Sequence, residues 1–356
     1  MRSPNESQRG KALIVGPDFF QYNEAIARAF QHHGFSSEIV ESPAHNPKGL
    51  LNRIRIDLAG QFGIEKYRSR WQRDFNRRVL EKAMAMDPDF ILIIKGDWID
   101  PDYFENIRAR RKIIWFQDEA RRCGANHLRL AHQADFVFVF ENDDRPYLVD
   151  KGVLKERIHF LPMGFDSHVY KLENMERPVD VSFVGRMYPH REILIERLIS
   201  DLPDVKFEVF GRYVRYKEPR TWMKWIRRVS SKRLRRIYRN RDIDPERVNL
   251  LYNQSKIVLN IHHGQSRDGC NPRVFEIMGS GAFQICDANP YVERHFPDSI
   301  VRFGSAEELV EKIEFFLSSP SERDSISLKA LSAGADHSFN SRIEELLRVV
   351  AEDPDG

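Results

Sequence analysis

The stretch RDGCNPRVFEIMGSGAFQICD, residues 267–287, carries two acids eight positions apart, Asp268 and Glu276, around what reads as the start of a helix. Asn271 suits the N-cap and Pro272 the first helical position, while Gly279 and Gly281 supply the stop. A helix start offers unpaired N–H groups and partial positive charge, which suits a phosphate. Arg273 falls in the first turn, where a cation opposes the helix dipole unless an anion binds there. Glu276, one turn in, can accept two hydrogen bonds from a ribose diol. Asp268, in the preceding loop, can accept from sugar hydroxyls. The plain alternative is a capped helix with charges on its surface.

The surrounding chain alternates strand and helix. KALIVG (11–16), FSSEIVE (35–41), PDFILIIKG (88–96), KIIWFQD (112–118), DFVFVFE (135–141) and HFLPMGF (159–165) read as strands of one series, with a helix at 22–33 and a charged helical stretch over 51–85. A second series starts at VDVSFVGR (179–186) and continues with a helix at 190–200. VKFEVFGR (205–212), KIVLNI (256–261), the helix at 272–279 and AFQICD (282–287) follow. Helices near 306–317 and 340–351 complete it. This pattern predicts two doubly wound, Rossmann-like α/β domains. The boundaries are 1–168 and 169–338, with 339–356 a final helix returning to the first domain. Ligands bind open α/β sheets beyond the carboxyl ends of the strands, so residues just after strands carry most weight.

The bulk numbers agree. At 356 residues, 41% hydrophobic and 31% charged, the chain suits two soluble domains. A net charge of +3, from 56 basic against 53 acidic side chains, gives no global pull toward nucleic acid. Three scattered cysteines argue for a reducing compartment without disulfides or a zinc ribbon. With no signal-peptide core and no bilayer-length apolar run, a cytoplasmic protein is expected, with peripheral membrane association open.

In SFVGRMYPHRE (182–192) a strand ends at Gly185, and Arg186 and Arg191 follow, five residues apart. Two guanidinium groups near a strand end can neutralise a diphosphate; alone, they read equally as solvated arginines at a helix start. No G-x-G-x-x-G follows the first strand, and no G-x4-G-K-[ST] occurs, which argues against a dehydrogenase or a P-loop protein. The D-x-D sequences, Asp100/Asp102 and Asp242/Asp244, sit in loops beside prolines. His262 and His263 are adjacent, so a strand would turn them to opposite sides and prevent shared chelation. One of them could line a cleft, or either could be a satisfied structural histidine. On the other domain, Gly16 and Asp18, Asp97, and Asp118 with Glu119 follow strands. Asp118 is the preferred candidate for orienting or deprotonating an acceptor hydroxyl; Gly16 would allow close approach of a sugar.

SFVGRMYPHR, YNQSKIVLNI, NPRVFEIMGSGAFQICD and HSFNSRIEELL (337–347) together resemble the C-terminal domain of group 1 GT-B glycosyltransferases, particularly the group that includes the spore-maturation CgeB-like proteins. The resemblance covers roughly residues 179–347; the N-terminal half matches in pattern only. It implies a GT-B architecture with an interdomain cleft and a metal-independent mechanism. Asp268 to Glu276 resembles the Glu-x7-Glu motif of the retaining enzymes, with Asp in place of the first Glu. By that resemblance Asp268 contacts the donor sugar, Glu276 holds the ribose, and Arg186 and Arg191 hold the diphosphate, the second standing where the family has Lys.

The expected catalytic residues are therefore Asp268, Arg186, Arg191 and Asp118. Donor-binding residues are Glu276, Arg273, Asn271, Gly185 and Cys270, and acceptor-side residues are Gly16, Asp18 and Asp97. No cofactor and no metal are expected beyond a UDP- or GDP-sugar substrate. The acceptor is a glycan, lipid or protein hydroxyl, in cell-envelope or other glycoconjugate synthesis. The alternative is a non-catalytic sugar- or nucleotide-binding protein of an envelope or spore layer. Residues 212–241 hold thirteen Lys or Arg against one acid, Glu218, with Trp222, Ile226 and Val229 on one helical face and Ile237 and Tyr238 roughly continuing it. This segment suits an anionic membrane surface or polyanion, or docking on the protein itself; nucleic acid is the weakest of these readings.

Overall fold

The computed structural model describes residues 9–18, 20–42, 65–213, 232–264 and 266–352. The first series of elements is β1 (Gly10–Gly16), α1 (Tyr22–His32), β2 (Phe35–Glu41), α2 (Glu65–Met86), β3 (Phe90–Ile94), α3 (Pro101–Asn106), β4 (Arg111–Phe116), α4 (Ala125–Gln133), β5 (Phe136–Val139), α5 (Asp144–Asp150) and β6 (Ile158–Phe160). The second is β7 (Val179–Val184), α6 (Pro189–Asp201), β8 (Phe207–Phe210), α7 (Lys232–Ile237), β9 (Tyr238–Arg239), α8 (Pro245–Asn253), β10 (Ser255–Asn260), α9 (Arg273–Gly279), β11 (Gln284–Asp287), α10 (Pro290–His295), β12 (Val301–Phe303), α11 (Ala306–Ser318) and α12 (Pro320–Gly334). Helix α13 (Phe339–Ala351) closes the chain.

The chain divides into two compact units. One comprises Met1–Met163, Arg267–Gly269 and Phe339–Gly356; the other Gly164–Ser266 and Cys270–Ser338. Each holds a six-stranded sheet, in the orders β2-β1-β3-β4-β5-β6 and β12-β11-β10-β7-β8-β9. Every strand pairing in both sheets is parallel. Parallel strands are covered on both faces, which is why FILII and FVFV are uninterrupted apolar runs.

In the first unit, α1 buries Tyr22, Ala25, Ile26, Ala29 and Phe30, an i, i+3, i+4, i+7, i+8 stripe. Gly34, at φ +89°, turns the chain from that helix into β2. Helix α13 buries Phe339, Arg342, Ile343, Leu346 and Val350. Its Phe339 ring lies 5.3 Å from Tyr22 and 6.4 Å from Trp115, while Arg342 Nε donates to the Met163 carbonyl at 3.2 Å. The last helix is thus part of the first unit's core. In the second unit, Val181, Phe183, Ile257, Leu259 and Ile285 of the central strands pack against Ile195, Leu198 and Ile199 of α6 and Leu309 and Ile313 of α11.

Three sequence expectations need correction. The helix after Asn271 begins at Arg273, with Pro272 as its flanking residue; no side chain caps it. Asn271 is turned aside because its amide donates to Asn260 Oδ1 at 2.9 Å. Ile237 and Tyr238 do not share a helical face, since α7 ends at Ile237 and Tyr238 enters the edge strand β9 beside β8. Strands β9 and β12, of two and three residues, were too short to show periodicity. Residues 214–231 of the basic segment lie outside the described residues.

Replacing Phe339 by Ala should cost the first unit about 3–5 kcal/mol, the range for emptying a buried aromatic site. Denaturant unfolding would check this; an unchanged midpoint would mean that α13 does not contribute to that core.

Candidate functional site

In the second unit the chain runs from β7 outward to β8 and β9, then returns to the other side of β7 for β10, β11 and β12. The order therefore reverses between β7 and β10, and ligands of open α/β sheets bind at the carboxyl ends of strands at such a point. The pairing Leu259↔Phe183, continued by two residues, sets Ile261 opposite Gly185. Gly185 donates its N–H to Phe210 O at 3.0 Å, and Met187 N donates to Arg212 O at 2.9 Å. A Cβ on Gly211 would fall 1.8 Å from the Gly185 carbonyl oxygen. That contact and a φ of +138° explain the glycine at 211. The loop after β7 is thus fixed by the loop after β8.

Arg191, in the first turn of α6, joins the two lips of this crevice. Its Nη1 donates to Arg186 O at 2.8 Å and its Nη2 donates to Ile261 O. The guanidinium carbon lies 5.2 Å from the Tyr188 ring centre and 5.7 Å from that of Phe183. The residue is 5% exposed, and no carboxylate forms an ion pair with it among the described residues. Burial, and then the charge of Arg273, lower its pKa to about 10, so it stays cationic at neutral pH. Two of its five N–H donors are spent on carbonyls; its Nε is shielded without a hydrogen-bond partner. Arg186 is exposed, and among the described residues its carbonyl accepts from Arg191 while its side chain makes no hydrogen bond.

The second unit also holds shielded polar atoms without partners among the described residues, Asn271 Oδ1, Tyr252 Oη and His262 Nε2. Buried polar groups in folded proteins are almost always paired, so these atoms call for an explanation. Tyr252 is fully buried; burial raises its pKa, with Glu276 adding and Arg273 opposing. Glu276 is 4% exposed on α9, and Arg273 opens the same helix. Gly279 ends it where a Cβ would lie 2.3 Å from the Phe165 ring, and Gly281 follows at φ +63°. Cys270 is fully buried and is not in a disulfide. Thus Gly185, Arg186, Arg191, Asn271, Arg273 and Glu276 all belong to the second unit, with Arg191 and Arg273 electrostatically coupled. A surface groove of about 890 Å³ lined by Arg302, Lys312 and Lys329 contains none of these residues.

Asp268 belongs to the first unit, where its short segment is bound to the end of β5. Glu141 accepts the backbone N–H of Arg267 at 3.0 Å and that of Asp268. Asn142 Nδ2 donates to Asp268 Oδ2 at 2.9 Å. Arg267 pairs with Glu119, which also pairs with Arg122 at 2.8 Å. A Cβ on Gly269 would fall 2.3 Å from the Phe140 carbonyl. Burial pushes the Glu141 carboxyl up to about 7, against the Arg267 N–H bond that favours its anion. Burial likewise holds the Asp144 carboxyl at about 6, despite its bond from Ala120 N. The sequence reading passed over Glu141 and Asp144; their signal was the acid-rich run ENDD directly after FVFVF.

The first unit's own reversal lies between β1 and β3. Gly16 ends β1 there, and a Cβ on it would meet Ile94 Cβ at 2.7 Å. Asp18, just beyond, has its pKa raised by burial, with Glu41 and Glu24 adding. Asp97 and Asp118 meet at Lys95: its Nζ pairs with Asp118 and lies 3.9 Å from Asp97. Asp97 also pairs with His127 Nε2 at 3.1 Å. Asp118 is therefore a carboxylate held beside a lysine. No group of three His, Cys, Asp or Glu suited to a metal ion occurs among the described residues.

Residues 190–348 match the family model described as Glycosyl transferase-like. Among solved structures, the chain is similar to HepE from Anabaena in complex with UDP and glucose. That match has a TM-score of 0.64 at 14% identity, over 97% of this chain and 100% of the other. It is also similar to sucrose-phosphate synthase from Thermosynechococcus elongatus, with a TM-score of 0.64 at 11% identity over 96% and 99%. A UDP-forming α,α-trehalose-phosphate synthase from Burkholderia xenovorans matches with a TM-score of 0.64 at 13% identity over 98% and 99%. The fold is GT-B. No curated protein sequence matches the chain. In this GT-B chain the family match begins at His190, beside Arg191, and spans α9. Among the described residues no helix is long and apolar enough to cross a membrane.

The raised carboxyl pKa values have a definite consequence. Glu141 and Asp144 bind protons more tightly folded than unfolded, so their stabilising contribution is complete near the ordinary carboxylate range of about pH 4. It is lost as pH rises through about 6 and 7. Denaturation midpoints measured across that window should fall with pH, and Glu141→Gln should flatten the fall. A wild-type midpoint that stays level over the same window would contradict the burial of these acids.

Proposed function

We propose that this protein is a GT-B glycosyltransferase that moves a sugar from a nucleoside-diphosphate donor to an acceptor hydroxyl. One observation carries the reading: a buried arginine with no ion-paired carboxylate among the described residues, coupled to a second arginine, at the point where the order of a parallel sheet reverses. Such clustered positive charge suits a diphosphate, and most suits one that gains charge as its sugar departs. The Glycosyl transferase-like match over 190–348 and the GT-B fold support the same class. HepE was solved with UDP, with UDP-glucose, and with UDP and glucose, which favours a UDP-sugar over a GDP-sugar here.

In this reading Arg186, Arg191 and Arg273 stabilise the leaving diphosphate, and Glu276 accepts from the ribose diol. Asp268 contacts the donor sugar. The bond from the anomeric carbon to the diphosphate oxygen breaks as that carbon bonds the acceptor oxygen. With configuration retained, the leaving phosphate oxygen takes the acceptor proton. No metal is assigned a part in this chemistry. Asp97 and Asp118, both beside Lys95, orient acceptor hydroxyls. The acceptor is a glycan, lipid or protein in envelope or other glycoconjugate synthesis, and the CgeB-like group is the nearest subfamily by motif. Attachment to an anionic membrane rests on the composition of residues 212–241 alone.

Arg186 is the cleanest probe, because its exposed side chain makes no hydrogen bond or ion pair among the described residues. Arg186→Ala should weaken nucleoside-diphosphate binding by about tenfold or more, the scale of a lost charge-assisted bond, without lowering the melting temperature. Unchanged affinity would remove its assignment to the diphosphate. Release of UDP or GDP from a panel of nucleotide sugars separates the transferase from a non-catalytic binder: binding without turnover on any donor favours the binder.

A further inference from the structure

His262 follows β10 at the β7–β10 reversal and is 6% exposed. Its partner comes from the neighbouring strand. Asp287 Oδ1, at the end of β11, accepts from the His262 backbone N–H at 2.8 Å and from its ring Nδ1 at 2.6 Å. The carboxylate therefore fixes the ring and places a proton on Nδ1. The other ring nitrogen, Nε2, is shielded from solvent without any hydrogen-bond partner among the described residues. A histidine serving only the core would have both nitrogens satisfied.

The backbone at and before His262 is engaged by cationic and polar side chains. The carbonyl of Ile261, directly before it, receives Arg191 Nη2. The His262 carbonyl holds the His190 ring, whose pKa is lowered by burial and by Arg191. Tyr188 lies 4.5 Å from the His263 ring and 5.9 Å from that of His190. Arg273 and Asn271 lie at the start of α9, and Asn271 is bonded to Asn260 two residues before His262. Asp287 is the one acid that contributes to Arg191 in this neighbourhood.

We propose that His262 is an anion-positioning residue of the donor site, with Nε2 donating to a phosphate oxygen of the nucleoside diphosphate while Asp287 holds Nδ1. This rests on the nucleotide-sugar reading above. Since Nδ1 already carries a proton, donation from Nε2 requires the imidazolium. Above the usual imidazole range, binding therefore takes up a proton, and the imidazolium lies between Asp287 and the phosphate.

The test uses the full chain and calorimetric titration with UDP and GDP at about pH 8, above the usual imidazole range. Two buffers of different ionisation enthalpy report the proton balance. Wild type should take up a proton on binding. His262→Gln, whose amide occupies the place of Nε2, should bind within a few-fold and lose that uptake. His262→Asn, whose amide occupies the place of Nδ1 and keeps the Asp287 bond, should bind about tenfold or more weakly. His190→Gln should keep the uptake. Absence of proton uptake in wild type, the same uptake in His262→Gln, or wild-type affinity in His262→Asn would each overturn the proposal. A wild-type chain that binds no nucleoside diphosphate would instead overturn the proposed function, and this inference with it.

Discussion

A single guanidinium sets the constraint on which the second unit depends. Arg191 donates to the carbonyl of Arg186 after β7 and to that of Ile261 after β10. It thus holds apart, and in register, the two strand ends that border the sheet's reversal. A neutral side chain could supply such bonds. A buried cation with no ion-pair partner is costly unless something compensates it. The compensation within the fold is partial: two carbonyl oxygens, two aromatic faces and the field of Asp287. Arg273 makes the balance worse, and this leaves the crevice predisposed to an anion.

The first unit shows the opposite electrostatics. Glu119, Glu141 and Asp144 are buried beyond the ends of β4 and β5, and the segment Arg267–Gly269 is bound to Glu141 through two backbone amides and to Glu119 through one guanidinium. The chain thereby delivers Asp268 to the first unit, while Glu276, eight residues later, belongs to the second. Two acids that look like one local motif in sequence are positioned by different folded units.

Much of this was legible in the sequence because parallel strands are buried on both faces. FILII, IIWF and FVFV declare themselves as uninterrupted apolar runs, and Gly185 and Gly16 mark strand ends. Arg191 and Arg273 were nameable as phosphate ligands, but their mutual coupling requires the sheet order. Asn271 misled for a physical reason: an N-cap residue competes for any nearby partner, and Asn260, which lies on a neighbouring strand, takes its amide. The His262–Asp287 pair spans 25 positions, and only the register of β10 against β11 reveals it. Edge strands such as Tyr238–Arg239 carry too few residues for a period to appear.

The most direct measurement is a crystal structure of the full chain with a bound nucleoside diphosphate. The account predicts phosphate oxygens within hydrogen-bond distance of the Arg191 and Arg273 guanidinium groups, at the carboxyl ends of β7 and β10. A nucleotide seated elsewhere, with Arg191 still bonded only to its two carbonyls, would contradict it.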